Sequence, residues 1–260
     1  MINISLFRKL WVRVLTAIVL FSIQLSCNSP DANSCFKAAG DEVTKTYELE
    51  AFNNILINRN VEAVIKMGTN YEVEVVSGEN LIDDIIVSVV GQELVITDNN
   101  ICNLVRDYGN STVYITVPDL KRIRSSTQYD ISSNGILTFP DLSLISENFN
   151  NPDLFSVGDF RLNLIAESLT IVSNNISSFY LSGSVDQLNV NFFGGVGRFE
   201  GPELISQHVE IYHRGSNDMI LNPQQSIRGE ILGTGNAIIL SAPDIIDVQE
   251  SYVGSLIIQD

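Results

Sequence analysis

From Leu120 to the end of the chain, short apolar alternations return at an interval of roughly twenty residues, the kind of fixed period that marks stacked repeats. The pairs are Leu120/Ile123, Leu142/Leu144, Leu169/Ile171, Leu188/Val190, Val209/Ile211 and Ile246/Val248. Small or polar turns follow them, among them Ser173-Asn174-Asn175, Gly194-Gly195, Gly215-Ser216-Asn217 and Gly233-Thr234-Gly235. A further apolar strand then opens at residues 179–181, 219–221, 238–240 and 256–258. Two strands and two turns in so short a unit cannot close a core alone. Each unit has to lend its apolar face to its neighbours across the spacing between paired strands. The expected fold is therefore all-β, a parallel β-helix (solenoid) with coils of roughly 20 residues, in which Ile171, Val190, Ile211 and Val248 share one column. A leucine-rich horseshoe lacks its leucine-and-asparagine frame here; a β-sandwich, whose strands also recur at short spacing, remains the rival.

Upstream, residues 52–57, 61–67, 71–76, 85–90, 94–97 and 113–117 read as short strands, with Gly68, Gly78, Gly91 and Gly109 as punctuation. In Tyr71-Glu-Val-Glu-Val75 the period is two, which gives a strand with one wet face. Only residues 80–86 could make a helical turn. The first 26 residues have the layout of an export signal: Arg8, Lys9 and Arg13 precede an apolar run, Val14 to Ile23, too short for a stop-transfer helix. Cys27 follows Gln24-Leu25-Ser26 and is the expected lipidation site, since acyl chains on such a cysteine suffice for stable anchoring. Gln24 stands where an aliphatic residue is usual in bacterial lipoprotein signals, and ordinary cleavage near Ser26 is the alternative. The organisation expected is a signal peptide at 1–26, a lipidated tether at 27–45, an N-terminal β-strand region at 46–118, and repeated coils at 119–260.

Removing the signal strips three bases and no acid, taking the formal net charge from −16 to −19. Nucleic acid is excluded as a partner, because binding it requires clustered bases to neutralise phosphates. The one basic step, Lys121-Arg122-Ile123-Arg124, reads as a solvated edge. Cys35 and Cys102 form an even pair in an oxidising compartment, which permits a disulfide; two unpaired thiols are the alternative.

The segments Phe52-Asn-Asn-Ile55, Val61 to Gly68, Tyr71-Glu-Val73, Gly91-Gln-Glu-Leu94-Val-Ile96 and Val113-Tyr-Ile-Thr-Val-Pro118-Asp-Leu120 resemble the head GIN domain family of auto-transporter adhesins, exported proteins of Bacteroidetes-type bacteria. The likeness runs from about residue 47 to the end. The turn Ser125-Ser-Thr-Gln-Tyr129 departs from the family's Ser-Gly-rich turns. The resemblance implies a right-handed, single-stranded β-helix with an adhesive role and supplies no catalytic residues.

Catalytic patterns are weak. His208 and His213, five apart on a strand, point to opposite faces and cannot share a metal, and no Gly-x-Ser-x-Gly elbow supports a serine nucleophile. Gly194-Gly195-Val-Gly197 and Gly233-Thr-Gly235 lack the following helix that a phosphate cradle uses. Asp83/Asp84, Asp244/Asp247 and Glu200/Glu203 are the carboxylate pairs that a polysaccharide-acting β-helix enzyme would need, in a chain rich in accidental pairs. Acids on the last coil, Asp244, Asp247, Glu250 and Asp260, also have a bland role in discouraging edge pairing.

Aromatics recurring about once per coil offer the better lead, because an exposed row could stack sugars or partner side chains. Tyr129, Tyr180, Phe193, Tyr212 and Tyr252 make up the expected stripe; Phe155, Phe179, Phe192 and Phe199 compete with them for outward positions. The expected function is a non-catalytic envelope lipoprotein at the outer membrane or cell surface, a rigid scaffold for a glycan or protein ligand, with no cofactor or metal and with the membrane reached only through its lipid. A periplasmic or secreted location, a polysaccharide lyase or hydrolase, and a purely structural envelope component are the alternatives.

Overall fold

The computed structural model describes residue 11 and residues 37–100, 102–104 and 111–259. All of the signal peptide but Trp11, together with Cys27, Cys35 and the first part of the tether, lies outside these. The described residues are all-β with almost no helix: seventeen strands join one mixed sheet, and the 80–86 segment contributes a 3-10 turn, Ile82–Asp84.

The strands are β1 (Glu42–Glu48), β2 (Asn54–Ile57), β3 (Glu62–Met67), β4 (Glu72–Gly78), β5 (Ile85–Val90), β6 (Glu93–Asp98), β7 (Thr112–Val117), β8 (Arg122–Ser125), β9 (Ile131–Thr138) and β10 (Asp141–Ser146). Four long ones follow, β11 (Phe160–Ser173), β12 (Phe179–Phe192), β13 (Phe199–His213) and β14 (Met219–Ile231). Three short ones end the chain: β15 (Ala237–Ile239), β16 (Ile245–Glu250) and β17 (Leu256–Ile258).

Two parallel ladders organise them. One runs β6–β2–β8–β10 and on through the second halves of β11 to β14 to β16; the other runs β7–β3–β9 and on through the first halves of β11 to β14 to β15 and β17. Partners in the second ladder, Phe160, Phe179, Phe199, Met219, Ala237 and Leu256, fall 18 to 20 residues apart, the period read from the sequence. Where the sequence suggested two short strands per repeat, residues 160–173 and their successors run as single bent strands, because the corner residues keep pairing through the bend.

The expected purely parallel arrangement is met by a mixed sheet. β1–β4, β4–β7 and β5–β6 are antiparallel; the two-residue connection Gly91-Gln92 makes β5–β6 a hairpin, whereas β1, β4 and β7 meet through long connections. β2 and β3 sit between β6–β7 and β8–β9, so the region before residue 118 shares its ladders with the repeats. One apolar cluster runs without a break from Phe52 to Ile239. β1 crosses the boundary expected between residues 45 and 46; its Val43 and Tyr47 pack against the core, two contacts in a strand otherwise made of Glu, Thr and Lys.

Alternation decides what lies inside. Val209 and Ile211 are buried while Glu210 is exposed and Tyr212 half-exposed. Ile171 pairs with Val190, Val190 with Ile211, Ile211 with Gly229, and Gly229 with Val248, so the four named aliphatics do share a column, interrupted by one glycine. Beside it runs an aromatic column in which Phe160 and Phe179 stack with centroids 4.9 Å apart and planes 5° from parallel. Replacing Phe179 by Ala removes a fully buried ring from that stack and is expected to lower stability by about 3–5 kcal/mol, measured by urea denaturation.

Turns stack as tightly as strands. Gly195 has φ +83°, and a Cβ there would overlap the carbonyl oxygen of Asn175 in the turn beneath. Gly195→Ala is expected to cost about 1–3 kcal/mol by combined backbone strain and overlap, read as a fall in thermal midpoint with the strand content unchanged.

Candidate functional site: an aromatic row on the turn edge

The connections at residues 126–130, 147–159, 174–178, 193–198, 214–218, 232–236 and 251–255 lie one above another along one edge, tied by bonds such as Gly158 N to the Thr127 carbonyl, Val196 N to that of Asn175, and Gly254 N to that of Gly233. At the opposite edge the strands bend, and exposed Asp141, Glu167, Asp186, Glu203 and Asp244 stand there beside exposed Ile165, Ile205 and Ile245. The turn edge instead exposes Phe149, Phe155, Ile176, Phe193 and Val196. The two long edges therefore differ in chemistry.

Phe193 is the centre of the apolar edge. Its ring lies 5.1 Å from that of Tyr212 and 5.5 Å from that of Phe149, so the three rings form a row. Phe149 is 56% exposed and Phe193 39%. The row is held from below: Glu147, whose side chain is 11% exposed, accepts from Arg124 Nη1 at 2.6 Å and, through its other oxygen, from the Phe149 backbone N–H at 2.8 Å. Beside it Asn148 and Asn174 bond reciprocally, Asn148 N to Asn174 Oδ1 at 3.3 Å and Asn174 Nδ2 to Asn148 Oδ1 at 3.0 Å. Asn191 Nδ2 donates to the Ile171 carbonyl. Apolar rings in mutual contact beside anchored amides form a surface that can desolvate a ligand and still offer hydrogen bonds.

Of the five aromatics expected from the sequence, Phe193 and Tyr212 touch. Tyr180 sits on the outer face of the other ladder, and the Arg161 guanidinium covers its ring at 4.1 Å. A hydrogen bond from Arg161 Nε to Asp130 Oδ2 at 2.6 Å fixes that guanidinium and raises its already high pKa. Tyr129 and Tyr252 lie in turns near the two ends of the edge, and Tyr252 is 68% exposed. Phe179, Phe192 and Phe199 are core; Phe155 is outward, with Arg59 5.3 Å from its ring centroid. Phe149 had no sequence signal: it lies in the long 147–159 connection, outside the repeat period.

The chemical alternatives find little geometry. Asp84 pairs with Lys37, Asp83 with Lys45, and Glu200 with Arg198. The glycine clusters at 194–197 and 233–235 are turns. Among the described residues no group of three or more His, Cys, Asp or Glu is placed to hold a metal. Cys102 is disulfide-bonded; Cys35, its expected partner, lies outside the described residues.

The two histidines do face opposite ways. His208 Nδ1 is 2.9 Å from Ser226 Oγ at a half-exposed position. His213 is fully buried at the end of β13, edge-on to Phe192 and paired in register with Ile231. Its Nδ1 accepts from Gly215 N at 3.3 Å, which leaves the proton on Nε2. Burial lowers its pKa below 6.5, the Asn217 carbonyl and the Asp218 charge acting weakly the other way. The folded state therefore holds His213 neutral while the unfolded chain protonates it below 6.5, so stability is full above about pH 6.5 and falls as the pH drops from there. His213→Leu is expected to remove part of the loss in urea midpoint between about pH 7 and pH 5, seen as a flatter profile than that of the unaltered protein.

These features define an all-β protein with a stacked apolar interior and a row of exposed aromatic rings on its turn edge. The chain belongs to the family described as "Putative auto-transporter adhesin, head GIN domain", whose model matches residues 51–243. No curated protein is similar to it. Among solved structures it is similar to a protein from Bacteroides fragilis described as a putative adhesin, with 20% identity, a TM-score of 0.76, and coverage of 85% of this chain and 99% of that one. A protein from Parabacteroides distasonis described as a putative lipid binding protein has 16% identity, a TM-score of 0.58 and coverage of 86% and 99%. One from Parabacteroides merdae described as a putative adhesin has 14% identity, a TM-score of 0.56 and coverage of 86% and 98%.

Proposed function

We propose that this protein is a non-catalytic adhesion or binding scaffold of the cell envelope, exported by its first 26 residues and held at the outer membrane or cell surface by lipid on Cys27, with the residues between Cys27 and Lys37 spanning the gap to the folded part. In this reading the two ladders wind as a right-handed parallel β-helix, and a Cys35–Cys102 bridge ties the tether to the body. Its ligand is a surface glycan or protein that lies along the turn edge against Phe149, Phe193 and Tyr212. The observation that carries this is the contacting ring row itself: three aromatics from separate levels, two of them exposed, beside anchored amides. Membership of an adhesin family supports the same role.

The test is a glycan array and a panel of surface-protein ligands probed with the purified folded part, followed by the triple substitution of Phe149, Phe193 and Tyr212 by Ser. Loss of about tenfold or more in affinity with an unchanged thermal midpoint is expected, as aromatic hot spots carry most of an interface's energy. Release of reducing or unsaturated ends from a polysaccharide would overturn the non-catalytic reading, and unchanged binding would move the site off this edge.

A further inference from the structure

Among the described residues the stack ends at β16 and β17. β16 pairs with β14 and β17 with β15, and among the described residues no strand lies beyond either. Side chains that continue the interior columns consequently meet solvent: Ile246 is 42% exposed where Ile227, one level down, is 0%, and Ile258 is 45% exposed where Ile239 is 0%. Repeat arrays need a polar cap at each end, and this end presents aliphatic side chains beside a row of unpaired backbone groups.

The outer face of the same strands says what would fit. Glu210 pairs in register with Arg228, and Arg228 with Asp247, so charge alternates in sign up the column and stops at an acid. Opposite charges placed directly across a sheet attract, and like charges repel. Asp244 and Glu250 add to the acidity of this edge; Glu250 already accepts the Leu256 N–H at 2.7 Å. A second copy does not fit. Its β16 would set Asp247 against Asp247, and of the edge strands at the other end β5 has no Lys or Arg, while β1 offers Lys45 between two threonines.

We propose that β16 receives a β-strand from another protein, with Lys or Arg opposite Asp247 and aliphatic residues opposite Ile246 and Val248. Main-chain hydrogen bonds to the free edge supply affinity, the aliphatic pair completes the interior columns, and the base continues the charge ladder. This face is separate from the aromatic turn edge, so the two can be tested independently.

The probes are two short labelled peptides of alternating valine with either lysine or aspartate, offered to the full folded protein and to Asp247→Lys. The lysine peptide is expected to bind the unaltered protein about tenfold more tightly than the aspartate one and to slow hydrogen exchange at β16 amides, and Asp247→Lys is expected to invert the preference. That substitution changes the formal net charge of −16 by only two, so a general attraction of bases to an acidic protein would leave the preference in place and overturn the proposal. Absence of β16 protection at saturating lysine peptide would overturn it as well. Concentration-dependent dimerisation through β16 in light scattering would do so in favour of a second copy.

Discussion

Side-chain registry between levels is the constraint from which the rest of this structure follows. Each level contributes a few inward groups, such as Phe179, Leu181, Leu188 and Val190, too few to exclude water alone. Burial of each is worth on the order of 1.5–3 kcal/mol, and ordering each residue of the chain costs about as much, so only the whole pile is favourable. A register slip by one residue would turn every inward group outward, which is why the parallel pairing runs through β11 and β12 and resumes after the irregularities at Tyr180/Ser182, Glu200/Ile205 and Ser206/His208. Departures are local: β14 has buried Ser226 and Ile227 side by side and Gly229 at φ +127°, where a Cβ would overlap the Ile211 carbonyl.

The same stacking sorts the surface into kinds. Strand faces repeat with the levels, so outward residues form columns whose chemistry is shared vertically, as in Glu210, Arg228 and Asp247. Bends collect acids and turns collect aromatics. An apolar turn edge survives in a protein of net charge −16 because its rings cover one another and are braced by the Arg124–Glu147 pair and the Asn148–Asn174 amides. Rigidity and apolar exposure together are what a binding surface needs to limit the entropy lost when a ligand docks.

Much of this was legible in the chain. The period near twenty and the alternation in Val209 to Tyr212 sufficed to give strand content, inward residues and the column through Ile171 and Val248, since they follow from local geometry. Other features depend on distant partners. β1 is an edge strand whose polar residues carry no apolar period; it exists because β4 pairs with it. The insertion of β2 and β3 between later strands is a matter of chain path, which residue pattern does not encode. Phe193 could be picked out by recurrence. Its separation from buried Phe192, like that of Tyr180 from Phe179, turned on a shift of one position, and Phe149 was reachable only through the fold.

The 147–159 connection is longer than the 174–178 and 214–218 turns above it, yet β10 pairs with β11 in unbroken register, and β9 pairs with β11 with one irregularity between Arg161 and Asn163. Lengthening a surface loop costs only slowly growing entropy, since the strands that flank it are fixed by their own pairings. Variation is thereby uncoupled from foldability along this side of the molecule. Sequence drift can recast the contact surface, ring by ring and loop by loop, on a chassis that stays the same, much as interchangeable tips serve one handle.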